Sequence, residues 1–200
     1  MSKLRAILRA IRVTLILWLI TAIIYPLFIL LVAQIPLFQF PAKGSIMVDL
    51  NNEPIGSALI GQTFTSDEYF HPRPSSVLYS QGKIAQPTGI SGSSNLAPSN
   101  PELLKRILET ANELQEDSID PLPDLIYTSG SGLDPHITYK SALQQLDRVA
   151  SARNLLPNEI YPFIEKYTKG RFLNIFGEPG VNVLKLNYAL DLQEINRRQN

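Results

Sequence analysis

The run VTLILWLITAIIYPLFILLVA, Val13 to Ala33, holds 21 residues without a charge. At 1.5 Å of rise per residue a helix of that length spans roughly 30 Å, the thickness of a bilayer hydrocarbon core. A cleaved signal peptide is the competing reading. Its apolar region usually runs only about 7–15 residues, however, and no small-x-small cleavage site follows Ala33. The run therefore reads as an uncleaved transmembrane helix. Trp18 and Tyr25 suit the interior of the span as well as an interface, and Pro26 is placed to kink it. Lys3, Arg5, Arg9 and Arg12 put four positive charges and no acid before the span, so the positive-inside rule keeps residues 1–12 in the cytoplasm. It sends the body, residues 41–200, to the other face of the membrane.

That charge asymmetry also limits the partners. The 18 basic and 18 acidic residues of the chain cancel, so the part beyond residue 12 carries −4. That balance argues against nucleic acid as a partner, because phosphate binding needs a basic face. The absence of cysteine excludes disulfides, thiol catalysis and Cys-ligated zinc.

The body shows no internal repeat. SIMVDLNNEPIGSALIG suggests two short strands joined at Asn51-Asn52, and residues 69–101 are rich in Ser, Pro, Gly and Asn and read as loop. Asn100 then offers an N-cap and Pro101 a first helical residue for PELLKRILETANELQE. Leu103, Leu104, Ile107, Leu108, Ala111 and Leu114 fall on one face of that helix. DLIYTSGSG suggests a short buried strand ending in a glycine turn. TYKSALQQLDRVASAR restores the helical period through Ala142, Leu146, Val149 and Ala150, with Thr138 as its cap. A shorter helix is expected around residues 159–168, begun or bent by Pro162, and VNVLKLN reads as a strand before a C-terminal helix or tail. The expected fold is an α/β or mixed α+β domain preceded by one transmembrane α-helix.

SGSGLDPHIT, residues 129–138, gathers serines, an aspartate and a histidine in a chain with only two histidines. A membrane-anchored serine hydrolase using Ser131, Asp134 and His136 is the catalytic reading. The stretch lacks a G-x-S-x-G elbow, and His136 follows Ser131 too closely for its imidazole to fold back easily. The turn reading lets Gly130 and Gly132 adopt unusual backbone angles while Asp134 and Pro135 set the bend. His71, His136 and the scattered carboxylates show no metal-ligand spacing, and no G-x-x-x-x-G-K-[ST] loop is present.

Six stretches taken in order, GSALIGQTF, YFHPRPSS, SGSSNLAPSNP, SGSGLDPHIT, QLDRVASAR and GEPGVNVLKLNYALD, resemble the C subunit of the bacterial potassium-transporting Kdp ATPase. The resemblance runs from the anchor to about Asp191. Ser93 and Ala97 stand where that family usually has glycine and Ser76 where it usually has alanine, which bears on fine loop geometry and not on membership. The resemblance implies a non-catalytic, single-pass subunit in the bacterial plasma (inner) membrane. Its implied partners are an ATP-hydrolysing P-type subunit and a channel-like potassium-binding subunit. It also implies a role as a catalytic chaperone that raises the catalytic subunit's affinity for ATP. No cofactor is expected to bind tightly, and ATP only jointly with the catalytic subunit. Because the charge pattern places the body across the membrane from cytoplasmic nucleotide, an indirect effect through complex stability is physically easier. Candidate contacts with a partner or nucleotide are Tyr69, Phe70, Arg73, Asn95, Asn100, Asp134, His136, Gln145 and Arg148. Tyr69, Phe70 and Arg73 suit either an interface or a loop packed on its own domain. Asn95 and Asn100 suit loop shape and capping. Gln145 and Arg148, one turn apart, face a partner or solvent, and Gln145 is the first candidate for nucleotide by resemblance.

Overall fold

A computed structural model describes residues 3–81 and 89–199, and part of the loop expected over 69–101 lies outside the described residues. The chain divides into two compact units between Ile46 and Met47.

The first unit is built on a continuous helix, Lys3–Ala33, long and apolar enough to cross a membrane. It comprises α1 (Lys3–Leu19), a π-helical turn (Ile20–Ile24) and α2 (Tyr25–Ala33). The widened turn has a local cause. Pro26 has no N–H to give and its ring crowds the preceding turn, and just before it the Tyr25 N–H reaches back to the Ile20 carbonyl. None of the side chains of these segments is buried. The helix includes the basic positions Lys3, Arg5, Arg9 and Arg12. A short helix, α3 (Pro36–Ala42), follows and exposes Leu37, Phe38 and Phe40.

Strands β1 (Ile46–Val48) and β2 (Pro54–Ser57) form the expected pair. Asp49 Oδ1 accepts the Asn51 and Glu53 N–H groups, each at 2.8 Å, and Asn52 takes φ +63°, a conformation asparagine tolerates. A three-stranded antiparallel sheet has the order β3 (His136–Ile137), β5 (Gly180–Asn182), β4 (Thr168–Lys169). Ile137 and Thr168 both lie opposite Val181. Among the described residues, five α-helices accompany it: α4 (Pro101–Glu116), α5 (Pro123–Ile126), α6 (Tyr139–Ala152), α7 (Pro157–Tyr167) and α8 (Val183–Gln199). The core joins Phe70 and Ile137 to Val149, Ile160, Ile164, Val181, Leu186 and Leu190. The mixed expectation therefore resolves into helices around a small antiparallel sheet.

Two sequence expectations fail here, each for a local reason. DLIY is not a strand: Pro123 opens the short helix α5, which buries Leu125 and Ile126. Proline at a first helical position is already preset for helix. In VNVLKLN the strand stops at Asn182, whose Oδ1 accepts the Lys185 N–H at 3.0 Å, so the helix begins at Val183. An N-cap bond outweighs the β preference of the valines. The apolar face of α4 is only partly covered, since Leu103, Ile107, Ala111 and Leu114 are half-buried while Leu104 and Leu108 are exposed. Helix α7 starts at Pro157, earlier than expected, and holds Pro162 inside it.

Candidate functional site

The SGSGLDPHIT turn is the hub on which three other loops converge. The Ser131 carbonyl accepts from Gly92 N–H at 2.8 Å and from Ser91 Oγ at 2.9 Å. Ser129 N–H donates to the Pro74 carbonyl at 2.9 Å, and Gly61 N–H to that of Leu133 at the same distance. Gly132 has φ +67°, and a Cβ there would lie 2.4 Å from Val77 Cγ2 and 2.6 Å from the Gly92 carbonyl oxygen. Only glycine fits both the angle and the space. Gly130, expected to share that role, has no left-handed backbone and open space around it. Thr138 Oγ1 accepts the Ser141 N–H at 3.1 Å and caps α6, as expected.

Asp134 and His136 meet in the turn. Asp134 accepts from Arg73 Nη1 at 3.0 Å and from the His136 N–H at 3.0 Å, and its carboxylate lies 3.4 Å from His136 Nδ1. Burial pushes its pKa up, but the His136 and Arg73 contacts outweigh burial and hold the carboxyl below its ordinary value. Both residues, with Arg73, Lys169, Phe172 and Glu178, line a cleft of about 410 Å³. Ser131 belongs to a different set of bonds. Its Oγ accepts the Leu133 N–H at 3.1 Å and pairs with Ser129 Oγ at 3.2 Å. Among the described residues no hydrogen bond joins Ser131 to a histidine, so the nucleophile–base contact that acyl transfer needs is not formed.

The remaining candidates hold the YFHPRP loop on the body. Phe70 is wholly buried in the core, and Asn187 of α8 accepts its N–H at 2.9 Å and donates to its carbonyl at 3.0 Å. Gln145 of α6 grips His71 in the same two-ended way. Arg148 donates to Gln145 Oε1 at 2.9 Å and to the carbonyls of Tyr69 and Asp67 at 3.1 and 3.0 Å. Burial and the neighbouring Arg148 charge lower the His71 pKa and so favour the neutral imidazole. Tyr69 sends its hydroxyl to Asp191 at 3.3 Å, and the Arg153 guanidinium lies 5.0 Å from its ring centroid. Arg153 in turn pairs with Asp191 at 2.7 Å and Glu194 at 3.3 Å. Asn95, at φ +53°, accepts from Ser93 Oγ at 2.8 Å, and Asn100 caps α4 through Glu102 N–H at 2.9 Å.

The structure thus brings Arg73, Asp134 and His136 into one cluster and Tyr69, Phe70, Gln145 and Arg148 into another. Asn187, Arg153 and Asp191 complete the second cluster and escaped the sequence reading. Asn187 had a readable signal, a lone amide inside the apolar run VNVLKLNYAL, since a buried amide requires partners. Among the described residues no group of three or more His, Cys, Asp and Glu side chains is placed to hold a metal ion.

Comparison with known proteins places the chain in one family. A family described as "KdpC: K+-transporting ATPase, c chain" matches residues 7–192. The chain is 66% identical to the "Potassium-transporting ATPase KdpC subunit" of Anabaena sp. (strain L31) over 200 residues, all of both chains. It is 55% identical to the subunit so named in Synechocystis sp., covering 91% of this chain and 95% of that one. With the subunit of that name from Clostridium perfringens it shares 39% over 94% of its own length and 97% of the other.

Proposed function

Since the chain belongs to the family of KdpC subunits of the K+-transporting ATPase, we propose that it acts as a non-catalytic accessory subunit that stabilises the assembled pump. An ATP-hydrolysing P-type subunit and a channel-like potassium-binding subunit are its proposed partners. The observation that carries this reading is the spending of the polar residues. Asp134, Gln145, Arg148 and Asn187 are all committed to holding loops, and Ser131 is bonded away from both histidines. What remains is a body with its loops tied down, offering surface.

The body lies on the extracytoplasmic side in this proposal, supported by the four basic residues at the start of Lys3–Ala33. An effect on ATP affinity is then indirect. A subunit that binds the nucleotide-competent state of the pump more tightly raises its population, and a preference of about 1.4 kcal/mol yields tenfold in affinity. The test is purification from gently solubilised membranes, followed by potassium-stimulated ATPase assays with and without this chain. Loss of assembly, or a raised KM for ATP, is expected without it. A complex that assembles and turns over identically in its absence overturns the proposal.

A further inference from the structure

The loop between β4 and β5, residues 170–179, walls the cleft it shares with Asp134 and His136, yet all its residues are exposed and none belongs to the buried core. Phe172 and Phe176 pair across it, and the Phe172 N–H donates to the Phe176 carbonyl at 2.8 Å. Leu173 and Asn174 make the turn at φ +53° and +59°. The hairpin so formed holds Phe172, Leu173, Ile175 and Phe176 between 62 and 70% exposed. Four large apolar side chains in five positions form a contiguous exposed patch, the kind that marks an interaction surface.

We propose that this hairpin is a second membrane contact, its apolar tip inserted at the headgroup–acyl boundary of the bilayer in which Lys3–Ala33 is anchored. The proposal rests on reading that helix as a bilayer span. Three observations select lipid as the occupant. The connecting residues 34–46 reach at most about 45 Å even when fully extended, so the body stays close to the membrane surface. The chain enters the body through β1 and β2, and the Ala58 carbonyl just after β2 accepts from Asn182 Nδ2 at 2.8 Å. Asn182 ends β5, and the hairpin hangs from the other end of that strand, at Gly180. The three residues of β5 therefore separate the base of the hairpin from the segment through which the chain enters the body. Charge is the third observation. Lys169 and Arg171 stand at the base of the hairpin against one acid, Glu178, which Arg171 meets at 3.2 Å. A basic base under an aromatic tip complements anionic headgroups, on a chain whose charge beyond residue 12 is otherwise acidic.

The experiment uses the full chain in vesicles of phosphatidylcholine, with and without phosphatidylglycerol, whose acyl chains carry bromine at shallow or deep positions. Trp18 is the chain's one tryptophan and lies in the span, so its quenching reports the anchor. A Trp18→Phe chain carrying Leu173→Trp reports the hairpin, and Ile175→Trp repeats the measurement at a second exposed position. Expected are a blue-shifted indole emission and quenching by shallow bromines more than by deep ones. Both effects should be larger with phosphatidylglycerol, and the gain should be lost with Lys169→Gln and Arg171→Gln together. Bromine quenching of Trp18 with a water-exposed, unquenched hairpin indole overturns the inference and leaves the anchor standing. An unquenched Trp18 overturns the anchor itself. A hairpin emission that shifts only in the assembled pump, without bromine quenching, assigns the tip to another subunit and also overturns the inference.

Discussion

Gln145 holds His71 by both ends of its side-chain amide: Oε1 accepts the His71 N–H at 2.7 Å and Nε2 donates to the His71 carbonyl at 3.1 Å. The amide is buried, so it acts as a piece of local β-ladder supplied by a helix. Asn187 does the same for Phe70 from α8. Two adjacent loop residues, which no strand pairs, thereby satisfy their backbone groups inside the body.

Truncating either amide leaves a donor and an acceptor buried without partners. Gln145→Ala and Asn187→Ala should each cost about 2–3 kcal/mol, in the range of broken buried networks. Because the gripped residues are neighbours, the double variant should cost less than the sum. Chemical unfolding of the full chain in detergent measures all three, and a loss within about 0.5 kcal/mol for the singles would remove the clamp from the account.

Around the 129–138 turn the backbone matters more than the would-be catalytic groups. Gly132→Val forces a side chain onto Val77 and the Gly92 carbonyl at a left-handed φ, and should cost more than about 3 kcal/mol or abolish pump assembly. Thr138→Ala removes a cap and should cost about 1 kcal/mol. Ser131→Ala and His136→Ala should leave assembly and potassium-stimulated ATPase activity within a few-fold of the parent. A collapse of activity in a correctly assembled Ser131→Ala complex would show chemistry at the turn.

His71 makes stability depend on pH in one direction. Burial and Arg148 lower its folded-state pKa from 6.5, so below that value the unfolded chain binds the proton more readily. Its contribution is present above pH 6.5 and is lost as the pH falls toward the folded value. Asp134, also lowered in the folded state, adds a loss of the same sign that begins near pH 3.8. Unfolding midpoints of the parent should decline from about pH 6.5 downward. His71→Gln should be flatter between there and the onset of the carboxylate transition. Equal slopes in the two proteins would rule out His71 as the sensor.

Orientation can be read from single cysteines, because the chain has none of its own. Lys105→Cys, on the exposed side of α4, should react with a membrane-impermeant maleimide in intact spheroplasts, whereas Arg5→Cys should react only after lysis. The reverse pattern would place the body in the cytoplasm and restore direct nucleotide contact as a possibility.

The features legible in the sequence are those set by neighbours along the chain. The apolar run, the caps at Asn100 and Thr138, the Asn51-Asn52 turn and the periodic face of α6 each depend on a few consecutive residues. The start of α8 was misread because valine content outweighed the asparagine that caps it. Gln145 and Arg148 share a face of α6, as their spacing predicts, but that face meets neither a partner nor solvent: it holds backbone groups of residues 67–71, and a loop without periodicity advertises no such pairing. The Arg73–Asp134 pair spans 61 positions and was equally hidden, although both residues were singled out.

The clamp between Phe70 and Asn187 joins positions 117 apart in sequence. Such a distant pairing delays closure of the core until the last helix has been supplied, since long-range contacts return stability only after their loop is closed. During synthesis, the segment that holds Phe70 leaves the ribosome long before Asn187 exists to receive it. Export of the body, which the proposed orientation requires, would gain from that order: the segment stays threadable while it crosses and locks only once α8 arrives.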